Sequence, residues 1–285
     1  MTIASHPSFP RPADAPIGVF DSGVGGLSVL RHIRAQLPHE HLIYFADSGF
    51  APYGDKSEQV VAERSLAVAA HLVGRGIKAL VVACNTATVA AIKAIRAEYP
   101  ELPIVGVEPG LKPGAALTRN GKVGVLATER TLNGEKFLLL RDQIGDASHA
   151  QFLLQPCVGL VDLIEQGQFD TPAIAAMLDR YVGALIAQGA DTLVLGCTHY
   201  PFVQDAIAQA VRRHTAAPVT LIDTGDAVAR QLARLLDAGH LLRTPSDAAA
   251  AAATLHGYAS AGAPALAAAF ASLLNLAPPV ELVKI

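Results

Sequence analysis

Two short stretches carry residues with chemical potential in a repeated arrangement. "VVACNTATVA" runs from Val81 to Ala90 and "LVLGCTHYPF" from Leu193 to Phe202. Each starts as a buried apolar strand and ends in a cysteine followed by hydroxyl, amide or imidazole groups: Cys84-Asn85-Thr86 and Cys197-Thr198-His199. A lone strand-end cysteine is most often a small inert hydrophobe. Two in matching settings, each beside polar groups, point to thiol chemistry. A thiol near its reference pKa of about 8.5 can act as acid or base close to neutral pH.

Other polar clusters also fall where an apolar strand gives way to a helix: Asp21-Ser22, Asp47-Ser48 and Thr128. Open parallel sheets collect ligands at the carboxyl ends of their strands. "DSGVGGLS", Asp21 to Ser28, opens a helix through a glycine-rich turn. Its backbone N–H groups fit an anion, and plain turn geometry explains it equally well. It has neither the Walker lysine nor the dinucleotide glycine spacing. "ADSGFAPYGDKS" is a proline-broken loop from which Tyr53 and Gly54 could reach over a pocket, with a phenol and a backbone donor, although a solvated connection is the default. Cys157, in "LLQPCVGLVDLIEQG", lacks the hydroxyl neighbours of the other two cysteines and reads as structural; Glu165 on the same stretch faces either solvent or a polar cleft.

The elements that must carry these groups follow a βαβ rhythm. "IGVF", "HLIYFAD", "KALVVA" and "PIVGV" alternate with helical patterns, as in a mostly parallel sheet covered on both faces. The rhythm restarts at "GKVGVLAT" and proceeds through a helix over "LNGEKFLLLRDQI", the strand "HAQFLLQPC", a helix over "YVGALIAQG" and the strand in "ADTLVLGCTHY". Ser22 to Cys84 spans about 62 positions and Thr128 to Cys197 about 69, an interval that points to internal duplication of one α/β unit. The expected fold class is α/β: two similar α/β domains with mostly parallel sheets. The expected division is a loose extension over 1–16, a discontinuous first domain of 17–110 with 225–285, and a second domain over 111–224. The strand and alanine-rich helix of the tail pack back onto the first unit, and "SDAAAAAAT" is a low-complexity run.

Composition narrows the function classes. The chain has 285 residues, 51% of them hydrophobic, and a net charge of −3. No basic excess points to a nucleic acid or an anionic membrane. Three scattered cysteines make no disulfide framework and no zinc spacing, which predicts reduced thiols, no metal and a cytoplasmic protein. No charge-free apolar run is long enough for a bilayer.

"FDSGVGGLSV", "YFADSGFAPYGDKS", "ACNTAT", "GVEPGLKPG", "VGVLAT" and "LGCTHYP", in that order, resemble the glutamate racemase family. The resemblance extends from about Ile17 to Asp226, with "HGYASAG" a weaker match. It departs in the first sixteen or so residues and in the alanine-rich tail. It implies a cofactor-independent amino-acid racemase, an isomerase interconverting L- and D-glutamate and supplying the D-form for peptidoglycan and cell-wall synthesis. It implies Cys84 and Cys197 as an acid/base pair on opposite faces of the substrate α-carbon, with Asp21 helping the first and His199 and Glu165 the second. It places Asp21, Ser22, Tyr53, Gly54, Asn85, Thr86, Thr128, Thr198 and His199 around the glutamate, and it implies a homodimer. An aspartate racemase of the same superfamily resembles "CT" followed by glutamate, where this chain has His199. A redox cysteine pair and a non-enzymatic glutamate-binding protein are the rivals from other classes. Nothing resembles the lysine site of pyridoxal phosphate enzymes.

Overall fold

The structure is a computed structural model that describes residues 12–244 and 253–285. Most of the extension expected over 1–16 and most of the alanine run lie outside the described residues. The chain runs through β1 (Ile17–Asp21), α1 (Leu27–Gln36), β2 (Leu42–Ala46), α2 (Glu58–Gly74), β3 (Ala79–Val82), α3 (Asn85–Glu98), β4 (Ile104–Gly106) and α4 (Leu111–Leu117). It continues through β5 (Lys122–Ala127), α5 (Glu129–Asn133), α6 (Glu135–Ser148), β6 (Gln151–Pro156), α7 (Leu160–Glu165) and α8 (Pro172–Ala187). The remainder holds β7 (Thr192–Leu195), α9 (Gln204–His214), β8 (Thr220–Ile222), α10 (Gly225–Ala238), β9 (Leu255–Ala259), α11 (Ala263–Leu274) and β10 (Val280–Leu282).

These strands form two sheets in which every pairing is parallel. One has the order β10-β9-β2-β1-β3-β4 and the other β6-β5-β7-β8. Set aside β9 and β10, which extend one edge, and the two orders are the same: second strand, first, third, fourth. β1, β3 and β7 are buried along their whole length, as strands covered on both faces should be. Helices α1, α10 and α11 close one face of the larger sheet, while α2 and α3 close the other.

Local chemistry sets the helix starts. Ser57, Thr128 and Thr171 each cap a helix by accepting a backbone N–H, and Pro172 occupies the first turn of α8, where its missing N–H costs nothing. Cys84 has extended backbone angles and caps α3 with its sulfur. The helix expected through "LNGEKFLLLRDQI" is broken: α5 ends at Asn133 and α6 begins at Glu135. Gly134 between them is extended, and a Cβ there would lie 2.1 Å from Val89 Cγ1, so the break lets the backbone approach α3. Helix α4 was not expected, because Pro113 and Gly114 mask it; a proline in the first turn is harmless.

Candidate active site

The shared strand order gives the two cysteines the same address. Cys84 follows the third strand of one sheet and Cys197 the third strand of the other, each within two residues of the strand end. Both line one cavity of about 70 Å³. Ser22, Tyr53, Gly54, Asn85, Thr86, Thr128, Thr198 and His199 line it too, so nearly every residue expected at the site is brought together. Asp21 and Glu165 are the exceptions. They stand behind the wall, in contact with the residues that form it.

Around Cys84 the surroundings favour the neutral thiol. Burial pushes its pKa up strongly, and the Asp21 carboxylate adds to this. The N–H of Ala87, 3.5 Å from the sulfur, opposes the shift, and the Ser22 hydroxyl lies 4.0 Å away. Asp21 is fully buried; its Oδ1 accepts from the Gly23 N–H at 2.7 Å and its Oδ2 from Thr198 Oγ1 at 3.0 Å. Burial raises this carboxyl above its ordinary value despite the opposing charge of His199.

Cys197 has different company. His199 presents Nδ1 to the sulfur at 3.6 Å and Nε2 to Glu165 Oε1 at 2.6 Å. Burial acts to lower the imidazole pKa, but the bonds to the thiol and the carboxylate outweigh it and hold it well above its usual range. Burial likewise acts to raise Glu165, and the bond to His199 reverses the sign. Glu165 thus meets the cavity wall through His199 and is not itself among the lining residues.

The glycine-rich turn does bind anions, and they are carboxylates of this chain. Gly23 N–H serves Asp21, and Val24 N–H donates to Glu165 Oε1 at 2.8 Å. The glycines also make room. A Cβ on Gly23 would lie 1.9 Å from Glu165 Oε1, and one on Gly25 would lie 2.3 Å from His199 Nδ1.

Comparison with known proteins identifies the family. The Asp/Glu/Hydantoin racemase family model matches residues 17–232. The chain belongs to the Asp/Glu/hydantoin racemase family. It is 55% identical over 234 residues to a glutamate racemase of Ectopseudomonas mendocina, covering 81% of this chain and 86% of that protein. A glutamate racemase of Ralstonia nicotianae is 52% identical over 274 residues, 96% of this chain and 94% of its own. Among solved structures, the glutamate racemase of Francisella tularensis in complex with D-glutamate superposes with a TM-score of 0.82 at 28% identity, covering 95% of this chain and 98% of that one. The Escherichia coli glutamate racemase, in complex with L-glutamate and the activator UDP-MurNAc-ala, gives 0.80 at 33% identity, with 96% and 99% covered. The chain is thus an amino-acid racemase with the two-sheet α/β architecture of its family.

In this racemase the rest of the cavity wall is rich in uncharged polar groups. Thr86, Thr128 and Thr131 form a triangle of hydroxyls, with Oγ1 separations of 3.0, 3.3 and 3.0 Å. Asn85 is 3% exposed, and neither its amide nitrogen nor its oxygen has a partner among the described residues. Among the described residues no lysine or arginine lines the cavity; Asp55, Glu129 and Asp162 do. Burial, then the charge of Asp55, raises the Asp162 carboxyl above its ordinary value. Tyr53 departs from the expected phenol donor: its O–H is given to Asp47 Oδ2 at 2.6 Å, and Arg64 holds the same carboxylate from the other side. Cys157 stays buried, its thiol near the Gln155 carbonyl, yet it also reaches the cavity with Val158 and Gly159. Nothing in their residue types marks them as lining a site beyond their nearness to Glu165. Asp21, Glu165 and His199 bring ligand-type atoms within 4.8 Å of one another, the one such group found among the described residues. Each already has a hydrogen-bond partner: Asp21 in Gly23 and Thr198, and His199 and Glu165 in each other.

Proposed function

We propose that this racemase interconverts L- and D-glutamate without a cofactor, using Cys84 and Cys197 as the two acid/base groups. The observation that carries this is the convergence of both thiols on one small cavity, each with a different set of partners. Inversion at an α-carbon needs a base on one face and an acid on the other. One sulfur, as thiolate, takes the α-proton; the other, as thiol, delivers a proton to the opposite face. For the next turnover in the same direction the sulfurs must regain their starting protonation.

Their surroundings support unequal duties. Burial and Asp21 keep Cys84 protonated at rest, whereas His199 and Glu165 form a relay able to hold or return the proton exchanged by Cys197. Ser22, Asn85, Thr86, Thr128 and Thr198 offer neutral donors for two carboxylates, and the wall carboxylates suit an ammonium. The glutamate racemases among its relatives support the choice of substrate. We also propose the division into 17–110 with 225–285 and 111–224, on the strength of the two sheets, and a homodimeric assembly. A cytoplasmic role in supplying D-glutamate for peptidoglycan completes the reading. Among the described residues, no helix is long and apolar enough to cross a membrane.

The test is to incubate each enantiomer of glutamate in deuterated water, following optical rotation and the α-proton signal by NMR. Racemisation with deuterium appearing at the α-carbon is expected from either enantiomer. Inversion with retention of the α-proton would rule out a thiol pair open to solvent exchange, and no inversion at all would sink the choice of substrate.

A further inference from the structure

Ser28 lies buried in the first turn of α1, remote in sequence from every residue of the Cys197 side. Its Oγ is 2.9 Å from the Gly25 carbonyl and 2.8 Å from the carbonyl of Thr198. A hydroxyl has one proton to give, so these two acceptors share it. Thr198 is held a second time through its own hydroxyl, which donates to Asp21. It is the residue between Cys197 and His199, and both of its anchors come from the segment around β1 and α1. Gly25 lies against the same segment: a Cβ there would approach Thr198 Oγ1 to 2.7 Å as well as the imidazole. No positive φ marks Gly25, so its lack of a side chain answers to this contact and not to backbone conformation.

We propose that Ser28 is a positioning residue for the Cys197 side of the reaction. Its hydroxyl, acting with the bare surface of Gly25, fixes the segment Cys197–His199 so that thiol and imidazole keep their 3.6 Å contact. The inference rests on the two-thiol reading above. Proton transfer is sensitive to placement, and an error of about 1 Å can cost on the order of a hundredfold in rate. A residue that merely held the two sheets together would lower thermal stability and leave the chemistry of the folded enzyme alone. His199 is faced by Cys197, Glu165, Asp21 and Asp162, so a shift of its ring changes its titration.

The experiment compares the full-length protein with Ser28→Ala, Ser28→Thr and Gly25→Ala, measuring kcat and KM for glutamate in both directions across pH. Ser28→Ala is expected to lose roughly tenfold in kcat with KM changed by less than about twofold, and to move one limb of the pH profile. Ser28→Thr, which keeps the hydroxyl, is expected to recover most of the rate. Gly25→Ala retains Ser28 but crowds the imidazole, and is expected to move the same limb. An unchanged kcat in Ser28→Ala, or a slower enzyme with an unmoved pH profile, overturns the proposal. A parent protein that fails to racemise glutamate counts instead against the function proposed above.

Discussion

His199 Nε2 and Glu165 Oε1 lie 2.6 Å apart, and the imidazole spans from this carboxylate to the sulfur of Cys197. The pair is a linkage between pH and stability. The folded pKa of His199 is raised, so its contribution is full below about pH 6.5 and is lost as pH rises through the folded value. The folded pKa of Glu165 is lowered, so its contribution is full above the ordinary 4.5 and is lost as pH falls through the folded value. The stability difference between the parent and Glu165→Gln should therefore be largest between about pH 4.5 and 6.5 and shrink in alkali. Thermal unfolding across pH checks this; a difference that grows above neutrality would contradict it.

Replacing either thiol removes one face of the proposed proton transfer. Cys84→Ser and Cys197→Ser should each lower racemisation by at least a factor of about a hundred, with the fold intact by circular dichroism. A serine hydroxyl is far too weak an acid to replace a thiol at neutral pH. Near-normal turnover in either variant would remove that cysteine from the mechanism.

Asn85 separates binding from stability. Its amide lines the cavity and makes no hydrogen bond to the described residues, so its removal breaks no internal bond. Asn85→Ala should leave the melting temperature unchanged or raise it, while KM rises by about tenfold or more. Calorimetry beside steady-state kinetics tests both halves, and a marked drop in stability would show that the amide has a structural partner after all.

Arg64 and Asp47 form a largely buried ion pair behind Tyr53, with separations of 2.8 and 3.1 Å. Arg64→Ala strands the carboxylate and should destabilise the protein by about 3 kcal/mol. Because Asp47 also accepts the Tyr53 hydroxyl, the turn Tyr53–Asp55 should loosen and KM should rise. Denaturant titration and kinetics measure the two effects, and a loss of stability with KM unaltered would detach Tyr53 from substrate binding.

Much of this architecture is legible in sequence because the governing signals are local. A run such as "ALVVAC" carries its own strand preference, and the polar group that follows can only fall at the strand's carboxyl end. The paired cysteines are readable for that reason. The hydrogen bonds joining Ser28 to Thr198 or Val24 to Glu165 are not, since each links residues more than a hundred positions apart. Nor does sequence tell that Tyr53 turns its hydroxyl to Asp47, or that the face carrying Cys157 and Asp162 borders the cavity. Those facts depend on how two sheets meet. Gly23 and Gly25 are an intermediate case: the turn is evident from composition, but which side chains need the vacated space is known only once Glu165 and His199 are in place.

The common strand order of the two sheets has a consequence for kinetics. It sets Cys84 and Cys197 at matching addresses around one cavity, where the proposed reaction assigns each sulfur one face of a planar carbanion. Mirror-image reactants in solution have equal free energy, which fixes the equilibrium constant at unity. The Haldane relation then requires kcat/KM to be equal for both enantiomers, however differently the two thiols are served. The inequality between Asp21 on one side and His199 with Glu165 on the other can show itself only as matched changes in kcat and KM, governing how long each enantiomer resides on the enzyme and never which one accumulates.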